Sequence, residues 1–376
     1  MKSIKYFISC VCLCGASLLA VDAQPLAGKE YHWAWTGWER PAGVNPIISP
    51  NANSVFYCPM KNTPMKWEES DTFNPAATII NDKVVVLYRA EDNSATGIGT
   101  RTSRIGYASS DDGLHFKCAG APVLYPDAND NAAADETPGG CEDPRVCMTE
   151  DGLYVMMYTQ WNRKQARLGV ATSRDLITWT KHGSPFAKAY GGKFAHVFSK
   201  SASIVTKMKG GKQVIAKING KYWMYWGEQF VNVATSTDLI NWTPMVDANG
   251  DFLKVIEPRK GYFDSQLTEC GPPAIITKHG IILFYNGKND GGVAGDKRYT
   301  ANSYCAGQVL FSKSNPAKVI DRLDKPFFIP EAVFERSGQY PAGTVFIEGL
   351  VPFKGKWYLY YGCADSRVSV AVYNPK

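Results

Sequence analysis

Short apolar strands ending in tyrosine return along this chain at a nearly regular interval, and that repeat constrains the fold more than any other feature. They read VVVLYRAED (84–92), LYVMMYTQW (153–161), YWMYWGEQ (222–229), IILFYNGKND (281–290) and WYLYYGCAD (357–365). With Tyr88, Tyr158, Tyr225, Tyr285 and Tyr360 taken as equivalent, the spacings are 70, 67, 60 and 75 residues. A second strand follows each: IGYASS (105–110), LGVATS (168–173), VNVATS (231–236), GQVLFS (307–312) and VSVAVY (368–373). Two of these continue into nearly the same text, SRDLITWT (173–180) and STDLINWT (236–243). Upstream of four tyrosine strands lies a further strand, in NPAATIINDK (74–83), DPRVCMTEDG (143–152), GPPAIITKHG (271–280) and EGLVPFKGK (348–356); the third unit carries the longer SKSASIVTKMKGGKQVIAKING there. Five units of three or four short strands predict an all-β chain, a five-bladed β-propeller. Runs apolar throughout, such as VVVLY, fit sheets packed on both faces. Residues 24 to about 72 are expected to wrap the structure or supply a closing strand. No Gly/Ser-rich or Pro-rich linker divides the chain, so one domain over 24–376 is expected.

The first 23 residues read differently. Lys2 and Lys5 precede an apolar stretch over 6–20, and Val21-Asp22-Ala23 offers small residues for cleavage, the pattern of a secretory signal peptide. The stretch is short for a membrane span. The mature chain is therefore expected to start near Gln24 and to be exported, periplasmic or extracellular, without membrane association. A lipid anchor on Cys10 is the weaker reading, because only Tyr6 to Ser9 precede that cysteine as apolar lead-in. Seven cysteines remain after the leader, an odd count that does not make a disulfide framework. No Cys/His spacing suits zinc, and no metal or cofactor is expected. The net charge of +6 is spread out, without a basic run, which argues against a nucleic-acid partner.

In a propeller the inner strands converge, and their ends line a common funnel. Repeat-equivalent positions there hold Asn74, Arg89, Glu91 and Asp92, then Glu142, Asp143 and Arg145, then Glu228, then Glu269 and Asp290, then Glu348 and Asp365. Carboxylates facing one cavity repel one another, so their pKa values split into acid and base forms. Glycoside hydrolysis needs such an acid for the leaving oxygen and a nucleophile or base opposite it. Trp161, Trp226, Tyr285 and Tyr361, at the same strand ends, are available to stack on sugar rings. The Gly-rich stretch 286–305 is expected to shape the entrance.

The segments FNPAA (73–77), LYRAED (87–92), GGCEDPRV (139–146), ECGPPAI (269–275) and YYGCAD (360–365) give the chain a resemblance, from about residue 45 to its end, to glycoside hydrolase family 130. The resemblance implies a five-bladed propeller acting on β-mannosides, with a mannose-containing oligosaccharide as substrate. It implies Asp143 as proton donor working through a hydroxyl of the bound mannose. It implies Asn74, Arg89 and Asp365 as residues that hold that mannose; Glu142, Arg145 and Tyr285 join them as candidate substrate contacts.

The family holds both phosphorylases and hydrolases. A phosphorylase must bind a dianion, which calls for clustered Arg, Lys and His. Here MYWGEQF (224–230) places Glu228 where such a pocket wants positive charge, and STDLINWTPM (236–245) lacks the histidine the phosphorylases carry. Glu228 and Glu269 together would repel phosphate and activate water, which resembles the hydrolytic branch and its β-1,2-mannosides, cleaved with inversion. Export agrees, since phosphorolysis outside the cell gives up sugar phosphate. Arg163, Lys164 and Lys193 are available for part of a phosphate site. A mannosyl phosphorylase, a non-catalytic sugar-binding propeller and, at a lower rank, an arabinoside- or fructoside-cleaving propeller are the competing readings. Oligomeric state is not legible in the sequence.

Overall fold

The computed structural model describes residues 29–375; the expected leader over 1–23 lies outside them. The chain divides into Met1–His32 and Trp33–Lys376, and among the described residues every strand lies in the second unit. That unit is all-β. The helical pieces among the described residues are the four-residue helix Ala133–Glu136 and single 3-10 turns at Ala189–Gly192 and Val333–Glu335.

Strand pairing follows the repeat. The first antiparallel group is Asp71–Ile80, Lys83–Glu91 and Ser103–Ser110, and the second is Gly140–Met148, Tyr154–Trp161, Ala166–Ser173 and Thr180–Gly183. The third is Ala202–Lys209, Lys221–Trp226, Val231–Ser236 and Trp242–Pro244. In the fourth, Leu267–Cys270 and Ala274–Ile276 both pair with Ile281–Lys288, followed by Tyr304–Phe311 and Val319–Arg322. Val345–Phe353, Lys356–Cys363 and Arg367–Tyr373 make the last. The first strands of these groups touch one another, with parallel contacts such as Val205 beside Ala274, so the sheets curl into a propeller-like arrangement with those strands innermost. The third unit is hard to align in sequence because its inner strand is shared. Ala202–Lys209 pairs with Lys221–Trp226 through its first residues and with Lys212–Ile215 through its last.

The continuous apolar runs are explained by packing on both faces. Val84, Val86 and Tyr88 join a cluster with Val351, Tyr358 and Tyr360 of the last group, whereas Val85 and Leu87 join Val146, Met156 and Tyr158 of the second. Comparable clusters join the second to the third group and the third to the fourth. Between the fourth and last groups the filling comes from the N-terminal segment, where Trp35 contacts Phe284, Trp357 and Tyr373. The same segment covers the edge of Arg367–Tyr373. Glu39 exchanges backbone hydrogen bonds with Val372, Ile47 and Ile48 bond to Val368, and the Asn45 side-chain amide stands in for a backbone amide opposite Val370. An open edge, a template for aggregation, is thereby paired.

The repeated tyrosines are structural. Tyr88, Tyr158 and Tyr285 lie opposite Gly106, Gly169 and Gly307 on the neighbouring strand, and a Cβ on any of those glycines would sit within 2.7 Å of the ring. The near-identical SRDLITWT and STDLINWT are one turn used twice. Ser173 and Ser236 accept the amides of Leu176 and Leu239, and Asp175 and Asp238 each accept two further amides. Ser110 and Asp112 build the same turn in the first group, with Gly113 at the left-handed position.

Candidate active site

Three inner strands carry a β-bulge at the same height, between Phe73 and Pro75, between Glu142 and Arg145, and between Ile347 and Gly349. A bulge re-aims a side chain out of the ladder, and here it turns Asn74, Asp143 and Glu348 toward one another. Asn74 and Asp143 both have φ of +47°, each followed by a proline with no amide proton to leave unpaired. Gly362 makes room for this, because a Cβ there would lie 2.3 Å from the Asn74 side-chain oxygen. Asp365 follows in a left-handed turn (φ +51°).

These residues form a buried charge network. Asn74 donates to Asp143 Oδ1 at 2.9 Å, and Arg89 Nη1 reaches the same oxygen at 3.2 Å. Arg89 Nη2 also pairs with Glu91 at 2.6 Å and Glu142 at 2.8 Å, and its Nε donates to Ser103 at 3.0 Å. From the third group Lys200 brings its ammonium to 3.6 Å from Asp143 Oδ2, and Ser201 donates a short hydrogen bond to Glu269. Glu228, half-buried, follows Gly227, whose φ of +123° and close approach to the Phe230 carbonyl exclude a side chain. A cleft of about 360 Å³ lined by Phe198, Phe230, Phe252 and Lys254 opens beside Glu228.

The carboxyl groups split as electrostatics requires. Burial, reinforced by Glu228, pushes Glu269 up to about 7 against the pull of Lys200, Arg145 and Ser201. Burial lifts Asp365 to about 7 against Arg89, with Asp143 and Glu91 adding to the rise. Burial and the Asp143 charge raise Glu142 despite Arg89. Burial acts on Asp143 in the same sense, but Arg89, Lys200, Arg145 and the Asn74 amide together hold it well below the usual carboxylate range. Of the two neighbours, Glu142 is thus the one that holds a proton more readily and Asp143 the one held ionised.

Asn74, Arg89, Glu142, Asp143, Glu269 and Asp365 thus share one network, with Glu228 at its solvent side. Tyr285 does not join it. Its ring is fully buried over Gly307, and its hydroxyl donates to Asp264 at 2.6 Å and accepts from Arg322. Arg145 is also misplaced for a sugar contact, being 2% exposed with its guanidinium on backbone carbonyls and Glu348. Trp226 packs between Phe186 and Phe252, and Tyr361 is buried with its hydroxyl on Glu335, so neither presents a free ring for stacking; Trp161, half-buried, donates its indole N–H to Gly99. Asp92 pairs with Arg104, and Asp290 caps the amides of Gly292 and Ala294. Arg163 and Lys164 are exposed, and Lys193 donates to the Gly250 carbonyl.

Lys200 and Ser201 escaped the sequence reading. They stand just ahead of the third inner strand, at the places of Glu142 and Asp143 in the second, and Ser201 has the same left-handed backbone (φ +49°). Aligning KSASIV with EDPRVC would have found them, had the longer third unit not blurred the register. An aromatic was missed as well: Tyr304, half-buried and edge-on to Tyr340 at 5.5 Å, where burial and the charges of Glu269, Glu228 and Asp365 raise its hydroxyl. Lys288 lies over both rings, at 5.3 and 5.5 Å. The stretch 286–305 that leads to Tyr304 is tied internally by Asn289, which bonds to Asp296, Tyr299 and Thr300.

Residues 44–375 match the family model Glyco_hydro_130, described as β-1,4-mannooligosaccharide phosphorylase. The chain belongs to glycoside hydrolase family 130. It is similar to a 1,2-β-oligomannan phosphorylase from Thermoanaerobacter sp. (strain X514), 30% identical over 88% of this chain and 95% of that protein. Among solved structures, a protein from Bacteroides thetaiotaomicron VPI-5482 superposes with a TM-score of 0.90 at 72% identity, over 91% of this chain and 98% of that one. Another superposes at TM-score 0.91 and 62% identity, over 92% of this chain and 96% of that one; its description concerns family 130 hydrolases that target β-1,2 mannosidic linkages in Candida mannan.

Proposed function

We propose that this chain is an exported hydrolase of β-1,2-mannosides, working by single displacement with inversion on one five-bladed propeller whose blades are the five antiparallel groups. The observation that carries hydrolysis is the Glu228–Glu269 pair, whose mutual repulsion helps to raise Glu269 and would act on a phosphate dianion in the same way. Lys200 is already matched by the charges of Glu228, Asp143, Glu269 and Glu142, leaving little for a second anion. The relative described with β-1,2-mannan hydrolases is 62% identical, whereas the phosphorylase relative from Thermoanaerobacter is 30% identical, which favours the hydrolytic reading and the β-1,2 linkage.

In this mechanism Asn74, Arg89 and Asp365 orient the mannose before the scissile bond. Asp143, ionised at rest, takes the proton that burial keeps on Glu142 and passes it through a mannose hydroxyl to the departing oxygen. On the opposite face Glu269, with Glu228, takes a proton from the attacking water. The leader at 1–23 carries the expectation of export.

The test is product analysis on β-1,2- and β-1,4-mannobiose with and without inorganic phosphate. Free mannose at a phosphate-independent rate is expected from the β-1,2 substrate. Phosphate-stimulated release of mannose 1-phosphate would instead establish phosphorolysis, the second reading, which the names of the 30% and 28% identical relatives favour. Binding without turnover would leave a lectin.

A further inference from the structure

We propose that Arg145 is a positioning residue that sets the separation between the acid and base sides of the site, braced from behind by Glu348. The proposal rests on the acid–base assignment above. Arg145 lies two residues beyond Asp143, past the bulge. Its Nη1 donates to the Asp143 carbonyl at 2.9 Å, its Nη2 to the Cys270 carbonyl at 2.8 Å, and its Nε to the Gly271 carbonyl at 3.4 Å. Nη2 also lies 2.9 Å from Glu348 Oε1. Cys270 directly follows Glu269. One planar guanidinium therefore spans the backbone of the acid, the backbone next to the base and the inner strand of the last group.

The geometry suits no other side chain. The bulge at Asp143 turns its carbonyl out of the ladder, and the Cys270 carbonyl sits where the fourth inner strand breaks between Leu267–Cys270 and Ala274–Ile276. Each carbonyl needs a donor in a buried place. Guanidinium offers a rigid fork of five N–H donors, while lysine brings one nitrogen and cannot span three carbonyls. Glu348 is fully buried, and apart from the Arg145 ion pair neither of its oxygens has a hydrogen-bond partner among the described residues. A carboxyl group placed there serves Arg145. A reaction in which acid, sugar and water must line up is sensitive to misplacement, with ~100-fold losses for about 1 Å.

The experiment measures kcat and KM on β-1,2-mannobiose, the dissociation constant of mannose by calorimetry, and Tm, for Arg145→Lys and Glu348→Ala, with Asp143→Asn and Glu269→Gln in parallel. For folded Arg145→Lys, kcat is expected to fall about 100-fold with KM and the mannose dissociation constant within about twofold of the parent. Glu348→Ala, which leaves the carbonyl bonds in place, is expected to lower kcat about tenfold with the same unchanged binding. If Arg145→Lys does not fold, Glu348→Ala decides alone. A parental kcat per folded molecule in the deciding variant overturns the proposal, as does weaker mannose binding at unchanged kcat, which would make Arg145 a sugar contact. Should Asp143→Asn and Glu269→Gln keep parental kcat, it is the acid–base assignment that fails.

Discussion

On the side of the site built by the first and second groups, each charged atom is held by another: Asp143 by Asn74, Arg89 and Lys200, and Arg89 by three carboxyl groups. On the side built by the third and fourth groups, Glu269 receives one hydroxyl, and no ion pair within 4 Å holds Glu228 among the described residues. The first side is pre-organised, and its key carboxyl is kept ionised in spite of burial. The second keeps a carboxyl near neutrality beside an open cleft. A sugar has to be held in one pose, which favours the crowded side, whereas water has to arrive and lose a proton, which favours the sparse one.

The largest expected effects strike the two sides separately. Asp143→Asn and Glu269→Gln should each lower kcat by ~10²–10⁴. Only Asp143→Asn, which alters the Arg89 and Asn74 network, should also change the affinity for mannose. Equal effects of both on mannose binding would erase the contrast.

The pH dependence is expected to move in opposite directions for two neighbours of Glu269. A base must be ionised, so kcat/KM should fall as pH drops through about 7, the position to which burial and Glu228 lift Glu269. Lys200→Met removes a charge that lowers Glu269, so the acid limb should move to higher pH. Glu228→Gln removes the repulsion and should move it lower. A limb at the same pH in both variants would show that Glu269 is not the titrating base.

Stability should record the same group more weakly. Glu269 binds its proton more tightly folded, at about 7, than unfolded, at ~4.3. The native state then holds the extra proton, so Glu269 destabilises the fold progressively as pH rises from about 4 to about 7. Thermal melts at pH 5 and pH 7.5 should therefore differ less in Glu269→Gln than in the parent; an unchanged gap would assign the effect to Glu142 and Asp365. The smallest effect is expected from Lys193→Ala. Its ammonium is on a surface carbonyl, so the hydrolysis rate with and without phosphate should stay within about twofold of the parent.

Much of the architecture was legible because its causes are local. The period of the tyrosine strands marks the paired strands, and the apolar runs mark sheets covered on both faces. Among the candidate site residues, Asn74, Glu142, Asp143, Glu269 and Asp365 come together because they sit beside strand ends that repeat. Tyr285 stands apart from them, and the text gives no sign of it, because a ring over a glycine and a ring beside a sugar leave the same letter. Lys200 was missed because the hairpin through Lys209 and Lys212 lengthens its unit and hides its equivalence to Glu142.

By itself, then, the sequence determined the alternation, the repeat and the chemical types at each strand end, all consequences of neighbours along the chain. Only the tertiary structure decided which carboxyl stays ionised, that Arg145 faces carbonyls, and which aromatic stands by the acids. Those outcomes depend on burial and on charges brought together from residues far apart in the chain, such as Asn74 and Asp143 or Arg145 and Glu348. Electrostatic energy is set by distance and burial, and neither is written in residue order.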